Sequence, residues 1–251
     1  MFEASHLQHN IVSGYIQIVS DGHYLPAFWA HPDLGGPFPG LVLLHDLWGL
    51  TAHTRSQVRR FAEQGYYVVA PDLFNRQTAT SLLQAQALID QVGEAAQSHV
   101  TAALNALKTH HKCNHKVGLI GWGYGARLAL FTAVFRADLR AVAIFYGLPD
   151  DLQPAQLRML SCPLLVILAE RDPDIPPDTI NTLRDTLAES DLAHEVKVYP
   201  GVERDFFDDT RPTFEAESAE DAWNHALEFF NTHLEVPKPP KPGTFDPGRV
   251  Y

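Results

Sequence analysis

The sequence predicts a single α/β domain, a mainly parallel sheet with helices on both faces and an antiparallel pair of strands at its N-terminal edge. Three observations predict it. From about residue 40 onward, apolar runs of strand length alternate with longer runs of helical spacing, the pattern of parallel strands buried on both faces. One such run, Val117 to Ile120, passes through Gly121-Trp122-Gly123-Tyr124-Gly125 directly into a helical run. The segment Gly14 to His31 reads as two antiparallel edge strands.

Taken in order, Gly40 to His45 (GLVLLH) is a buried strand. Arg55 to Gln64 has helical spacing in Val58, Phe61 and Ala62 and stops at Gly65. Tyr66 to Ala70 (YYVVA) is a strand ended by Pro71-Asp72. Ser81 to Thr109 holds one long helix or two. Val117 to Ile120 is a strand and Ala126 to Phe135 a helix; Ala141 to Phe145 and Leu164 to Ala169 are further strands. Asp178 to Leu187 is a helix, His194 to Tyr199 a strand, and Ala219 to Leu234 a closing helix. No proline- or glycine-rich stretch makes a linker within this series, and no repeat recurs at solenoid periods. Residues 1–235 are therefore read as one domain. Residues 236–251, with five prolines among sixteen positions, form a tail for which extended packing along the surface is expected.

The 251 residues carry a net charge of −11, which argues against a nucleic-acid partner because phosphate binding needs clustered Lys and Arg. No apolar stretch reaches membrane-spanning length, so no membrane partner is expected. The opening MFEASHLQHNIVSG lacks a basic start followed by an apolar block, and two cysteines make no disulfide framework. A cytoplasmic location is the expectation. The run His110-His111-Lys112-Cys113-Asn114-His115 offers metal-ligand types but no zinc-type spacing, and a polar loop is the preferred reading. Cys162, beside Pro163, reads as a small core residue, and Cys113 is no convincing nucleophile. No metal or cofactor is expected.

Four segments carry the chemistry. The first is Val117–Leu130 (VGLIGWGYGARLAL), a strand–turn–helix with Gly at the centre of Gly-x-Gly-x-Gly. The second is HDLWGLTAHTRSQVRRFAEQGYYVVAPDLF, from His45; the third AERDPDIP, from Ala169; the fourth YPGVERDFFDDTRPTFEAESAEDAWNHALEFF, from Tyr199. From about Gly14 to Leu234 the chain resembles the dienelactone hydrolase family of the α/β-hydrolase superfamily. The resemblance implies an ester- or lactone-cleaving frame in the chain order nucleophile, acid, base. It places the nucleophile at Gly123, the acid at Asp172 and the base at Arg204, with Asp46 where the family has Glu. It also implies an oxyanion hole from the backbone N–H groups of Leu47 and Tyr124, and a pocket near His45, Trp48 and Phe206.

The departures from the pattern decide the expected function. The family elbow carries Cys or Ser, but Gly123 has no side chain to acylate. The family base is a His followed by Gly, but the aligned pair is Arg204-Asp205, and a guanidinium stays protonated. Of the triad, only Asp172 remains.

Gly123 is either a vacated site or a turn that tolerates glycine. Arg204 is either an anion-binding group or the salt-bridge partner of Asp172; the second is preferred, because a stranded carboxylate needs compensation. His45 is read as a residue that fixes the oxyanion loop, with catalysis as the lesser alternative. The leading expectation is a non-catalytic family member that keeps a pocket for a small molecule or partner. The alternatives are an active ester or lactone hydrolase using a relocated nucleophile or an Asp-activated water, and a scaffold protein acting through the tail. Gly123 is expected at a strained turn, with the Leu47 and Tyr124 N–H groups converging on one point.

Overall fold

The computed structural model describes residues 9–149 and 153–235. Ile11–Ser20 (β1) and His23–Pro32 (β2) pair antiparallel along their full length. Asp21 and Gly22 join them, both at positive φ, as a two-residue hairpin turn requires. The remaining strands are Phe38–Leu44 (β3), Tyr67–Pro71 (β4), Cys113–Trp122 (β5), Ala141–Phe145 (β6), Leu164–Ala169 (β7) and His194–Tyr199 (β8). They form one eight-stranded sheet in the order β1-β2-β4-β3-β5-β6-β7-β8. β2 meets β4 antiparallel, and every pairing from β4 to β8 is parallel. The mainly parallel sheet with an antiparallel N-terminal edge is as expected.

The helices are Ala52–Glu63 (α1), Leu82–Val92 (α2), Ala95–Thr109 (α3), Tyr124–Phe135 (α4), Pro154–Leu157 (α5), Pro177–Ala188 (α6) and Ala216–His233 (α7). Gly93, at φ 49° and ψ −135°, divides 81–109 into two helices. β3, β4, β6 and β7 are buried at every position, because helices cover both sheet faces. One core layer joins Val42, Leu44, Leu104, Leu130 and Leu168; the other joins Leu41, Phe61, Ile167, Trp223 and Phe230.

This topology places the site. The chain leaves β3 toward β4 on one side, then returns to β5 on the other. Ligand crevices of open parallel sheets lie outside the strand C-termini at such a reversal. The loop after β3 and the turn after β5 therefore meet, and the loops after β7 and β8 reach the same end.

Among the described residues no helix is long and apolar enough to cross a membrane. The proline-rich tail, residues 236–251, lies outside the described residues.

Candidate functional site

The elbow is built from close backbone approach. A β-carbon on Gly125 would stand 2.4 Å from the Leu44 carbonyl oxygen, so only glycine lets the start of α4 lie against the end of β3. Gly123 sits at φ 48° and ψ −109°, a conformation that residues with a β-carbon rarely adopt. Its N–H donates to Phe145 O (2.9 Å), tying the turn to β6.

The loop after β3 is equally fixed. His45 is buried; its Nε2 accepts from Leu73 N (3.1 Å) and its Nδ1 contacts Asp46 O (2.7 Å). Because Nε2 accepts, Nδ1 carries the proton and donates. Burial lowers the His45 pKa, while the Asp46 backbone contact and the Asp72 and Asp46 charges oppose the shift. His45 is thus a strut between two backbone segments, the Asp46 carbonyl and the Leu73 N–H.

The N–H groups of Leu47 and Tyr124 converge on one atom, Asp46 Oδ1, at 2.6 and 3.0 Å. The same carboxylate fills the space beside the turn: a β-carbon on Gly123 would come within 2.0 Å of Asp46 Oδ1. Two backbone donors that could receive a developing oxyanion instead hold a side chain of the chain itself.

Asp172, at the end of β7, is buried; its Oδ1 accepts from Asp174 N (3.0 Å) and its Oδ2 has no partner. Burial pushes its pKa up, against the Asp174 N–H and the Arg204 charge. Arg204 Nη1 lies 3.9 Å from Asp172 Oδ1, but its close partner is Asp174 Oδ2, on the exposed side. The preferred pairing with Asp172 is therefore present only as a long contact. Asp174, two residues along the same turn, takes the short one, because its carboxylate can meet the guanidinium without losing water. Arg204 Nε also faces Asp205 Oδ1 at 3.8 Å. Burial works against the guanidinium charge, but Asp46, Asp172, Asp205 and Asp174 more than offset it.

Asp205 takes φ 64°, where a glycine would be unstrained. Burial, then the neighbouring Asp46 charge, raise its pKa to about 6 against Arg204 and Arg211. The Trp48 indole also contributes to lowering it, although Trp48 Nε1 and Asp205 Oδ1 do not meet hydrogen-bond geometry. Arg211 covers Trp48, its Cζ 3.7 Å from the ring centroid.

The cavity at this site measures about 20 Å³ and is lined by His45, Asp46, Trp48, Trp122 and Tyr146 among others. That is room for about one water. Phe206 does not line it; the ring is fully buried against Tyr146 and Tyr199. A larger hollow, about 770 Å³ between β1, β4 and α3, shares no residue with the site.

A model of the dienelactone hydrolase family matches residues 25–234. The chain belongs to the dienelactone hydrolase family. Relatives named "Putative carboxymethylenebutenolidase" include one from Escherichia coli (strain K12), 29% identical, covering 89% of this chain and 88% of its own. Another, from Yersinia pestis, is 30% identical and covers 90% of each chain. A crystal structure described as a putative dienelactone hydrolase from Klebsiella pneumoniae superimposes with a TM-score of 0.81 at 26% identity, covering 88% of this chain and 99% of its own.

Within this dienelactone hydrolase frame the structure brings Asp46, Leu47, Gly123 and Tyr124 together on one side. Asp172, Arg204 and Asp205 meet on the other, and the Asp46 charge acts on both Arg204 and Asp205. Sequence reasoning missed Tyr146 as a lining residue. It follows β6 at the strand's C-terminal end, the end where the site lies, and that placement is the signal that could have found it. Burial raises the Tyr146 phenol well above its ordinary pKa, with the Asp205, Asp46 and Asp208 charges adding and Arg204 opposing.

In the histidine and cysteine run, Cys113 is buried in β5, His110 and His111 stack on each other, and His115 Nδ1 contacts Lys108 O. Cys162 is buried, as a core residue should be.

Proposed function

We propose that this chain is a family member that does not hydrolyse esters or lactones through the elbow, and that its site binds rather than turns over. One observation carries the reading: the Asp46 carboxylate accepts from both Leu47 N and Tyr124 N and stands where a Gly123 side chain would be. Elbow chemistry needs a nucleophile at the turn and an empty oxyanion position. Residue 123 supplies no nucleophile, and a negative charge already sits at the donors. Arg204 in the base position keeps its proton at neutral pH.

The binding role rests on the frame that survives. Two preorganised N–H donors lie near a guanidinium, a set suited to a small anion or to an acidic group of a partner protein. Such a ligand enters by displacing Asp46, because a 20 Å³ cavity admits nothing larger than about one water. A panel of ester and lactone substrates, run beside a thermal-shift screen of small carboxylates, tests the reading. No turnover with at least one stabilising carboxylate is the expected result. Catalytic turnover by the purified chain would overturn it.

A second reading, hydrolysis by Asp-activated water, has one observation in its favour. Asp205 is held near a pKa of about 6 beside Asp46, in the range of a working general base. Against it, the donors that would stabilise the transition state are engaged by Asp46.

A further inference from the structure

A second group of side chains lies beside this cavity, and neither the elbow nor the triad positions use it. His53, on the first turn of α1, meets Asp208 and Asp209, on the loop after β8. Its Nδ1 lies 2.8 Å from Asp209 Oδ1 and 3.4 Å from Asp208 Oδ1, and one ligand atom from each of the three residues falls within 4.8 Å of the others. A first-row divalent cation bound at about 2.1 Å sets neighbouring ligand atoms about 3.0 Å apart in an octahedron and about 3.4 Å apart in a tetrahedron. The two imidazole–carboxylate separations, 2.8 and 3.4 Å, lie close to such edges, and the third pair is within 4.8 Å.

An independent observation concerns a buried amide on the same cavity walls. Gln57 stands one helical turn from His53 and is 8% exposed, yet its Oε1 has no donor. It lines the cavity shared with His53 and Asp208, and also the neighbouring one shared with His53 and Asp209. The His53–Asp209 contact satisfies the imidazole and leaves this buried amide oxygen unsatisfied. A cation would satisfy it.

Asp208 is held from both sides, with Arg211 Nε 3.6 Å from its Oδ2. Asp208 Oδ1 accepts from Thr210 N (2.9 Å) and Thr210 Oγ1 (2.7 Å), which fixes the carboxylate as outer-shell partners fix metal ligands. Phe207 packs edge-on against the His53 ring, with centroids 6.1 Å apart.

We propose that His53, Asp208 and Asp209, with the Gln57 amide oxygen, bind one first-row divalent cation of the Zn²⁺ or Mn²⁺ class. One imidazole nitrogen with carboxylate and amide oxygens suits those ions, and no thiolate is present to select a softer one. The cation ties α1 to the loop that carries Asp205 and Arg211, at the rim of the cavity that Asp46 closes. Binding requires a free Nδ1 lone pair, so any proton on that nitrogen leaves as the metal arrives.

The test is calorimetric titration of chelator-treated protein with Zn²⁺ and, separately, Mn²⁺, read together with thermal unfolding. One equivalent of at least one ion should bind and raise the melting temperature. His53→Ala and Asp209→Asn should each weaken binding roughly tenfold or more. Asp209 is exposed, so its variant folds even if the His53 variant does not. Asp221→Asn, on α7 in the separate cluster with Lys197 of β8 and His225, should leave binding unchanged. Failure of both ions to bind overturns the proposal. So does binding that persists undiminished in Asp209→Asn, which would place the ion elsewhere.

Discussion

The Asp46 carboxylate occupies the space that any side chain on Gly123 would need, its Oδ1 2.0 Å from an added β-carbon. Each residue therefore constrains the other. Glycine at 123 admits the carboxylate, and the carboxylate satisfies the N–H groups of Leu47 and Tyr124 that the turn exposes. The rest of the site follows from this pair.

Gly123→Ser should destabilise the fold by about 2–4 kcal/mol, because it adds both a positive-φ strain and a collision. Asp46→Ala removes the collision, so the double variant should recover part of the loss, an interaction energy of about 1–2 kcal/mol. Denaturant unfolding of the two single variants and the double measures the coupling. Strict additivity would mean that the two side-chain positions do not compete.

Arg204→Ala should cost about 1–3 kcal/mol. Its short contact, with exposed Asp174, contributes little, so the loss comes from taking one of the two cations that act on buried Asp172, leaving Arg127 as the other. Asp174→Ala should stay within about 1 kcal/mol of the parent. Adding Asp172→Asn to Arg204→Ala should reduce the penalty, since no carboxylate is then stranded. Equilibrium unfolding at neutral pH separates the three cases.

Asp205 gives a pH signature. Its pKa is about 6 in the folded chain and about 4 when unfolded, so the folded state binds the proton more tightly. That contribution to stability is fully present below about pH 4 and is lost as pH rises through about 6. Asp205→Asn removes the charge and tolerates the same positive φ. It should stabilise the protein by on the order of 2–3 kcal/mol at pH 8 and have little effect at pH 4. Melting temperatures across this range read the effect directly, and a benefit that is flat with pH would refute it.

His45→Ala should destabilise by about 2–4 kcal/mol without creating or abolishing catalysis, since it opens a hole and strands the Leu73 N–H. His45→Asn should be milder, because an amide can keep one of the two backbone contacts. Paired unfolding and ester-turnover assays test this. A change in turnover rather than stability would assign His45 a chemical role.

Much of the fold was legible because burial imposes long apolar runs: β6 and β7 begin and end where their runs do, and edge strand β8 was marked by alternation instead. β5 starts four residues before Val117, since its polar first residues Cys113 to Lys116 carry no strand signal. The four-residue α5 was missed because one turn is too short to show a period. At the site, the converging backbone donors followed from the strand–turn–helix pattern. What fills them did not, because the rotamer of Asp46 depends on Gly123, 77 positions away. The pairing of Arg204 with Asp172 rested on the base position and on the retained acid's need for compensation. Exposure tells Asp172 from Asp174, and a sequence does not print exposure. Phe206 was placed on a pocket wall by its position after the last strand, but its ring turns into the core beside Tyr146. His53, Gln57, Asp208 and Asp209 meet only because α1 packs beside the loop after β8.

The most direct test of the account is intact-mass spectrometry of the purified chain after incubation with activated esters and lactones. With no side chain at residue 123 and a carboxylate on both oxyanion donors, the mass should remain that of the unmodified protein at every time point. A stable acyl adduct, mapped to Cys113, Cys162 or a serine near the turn, would contradict it.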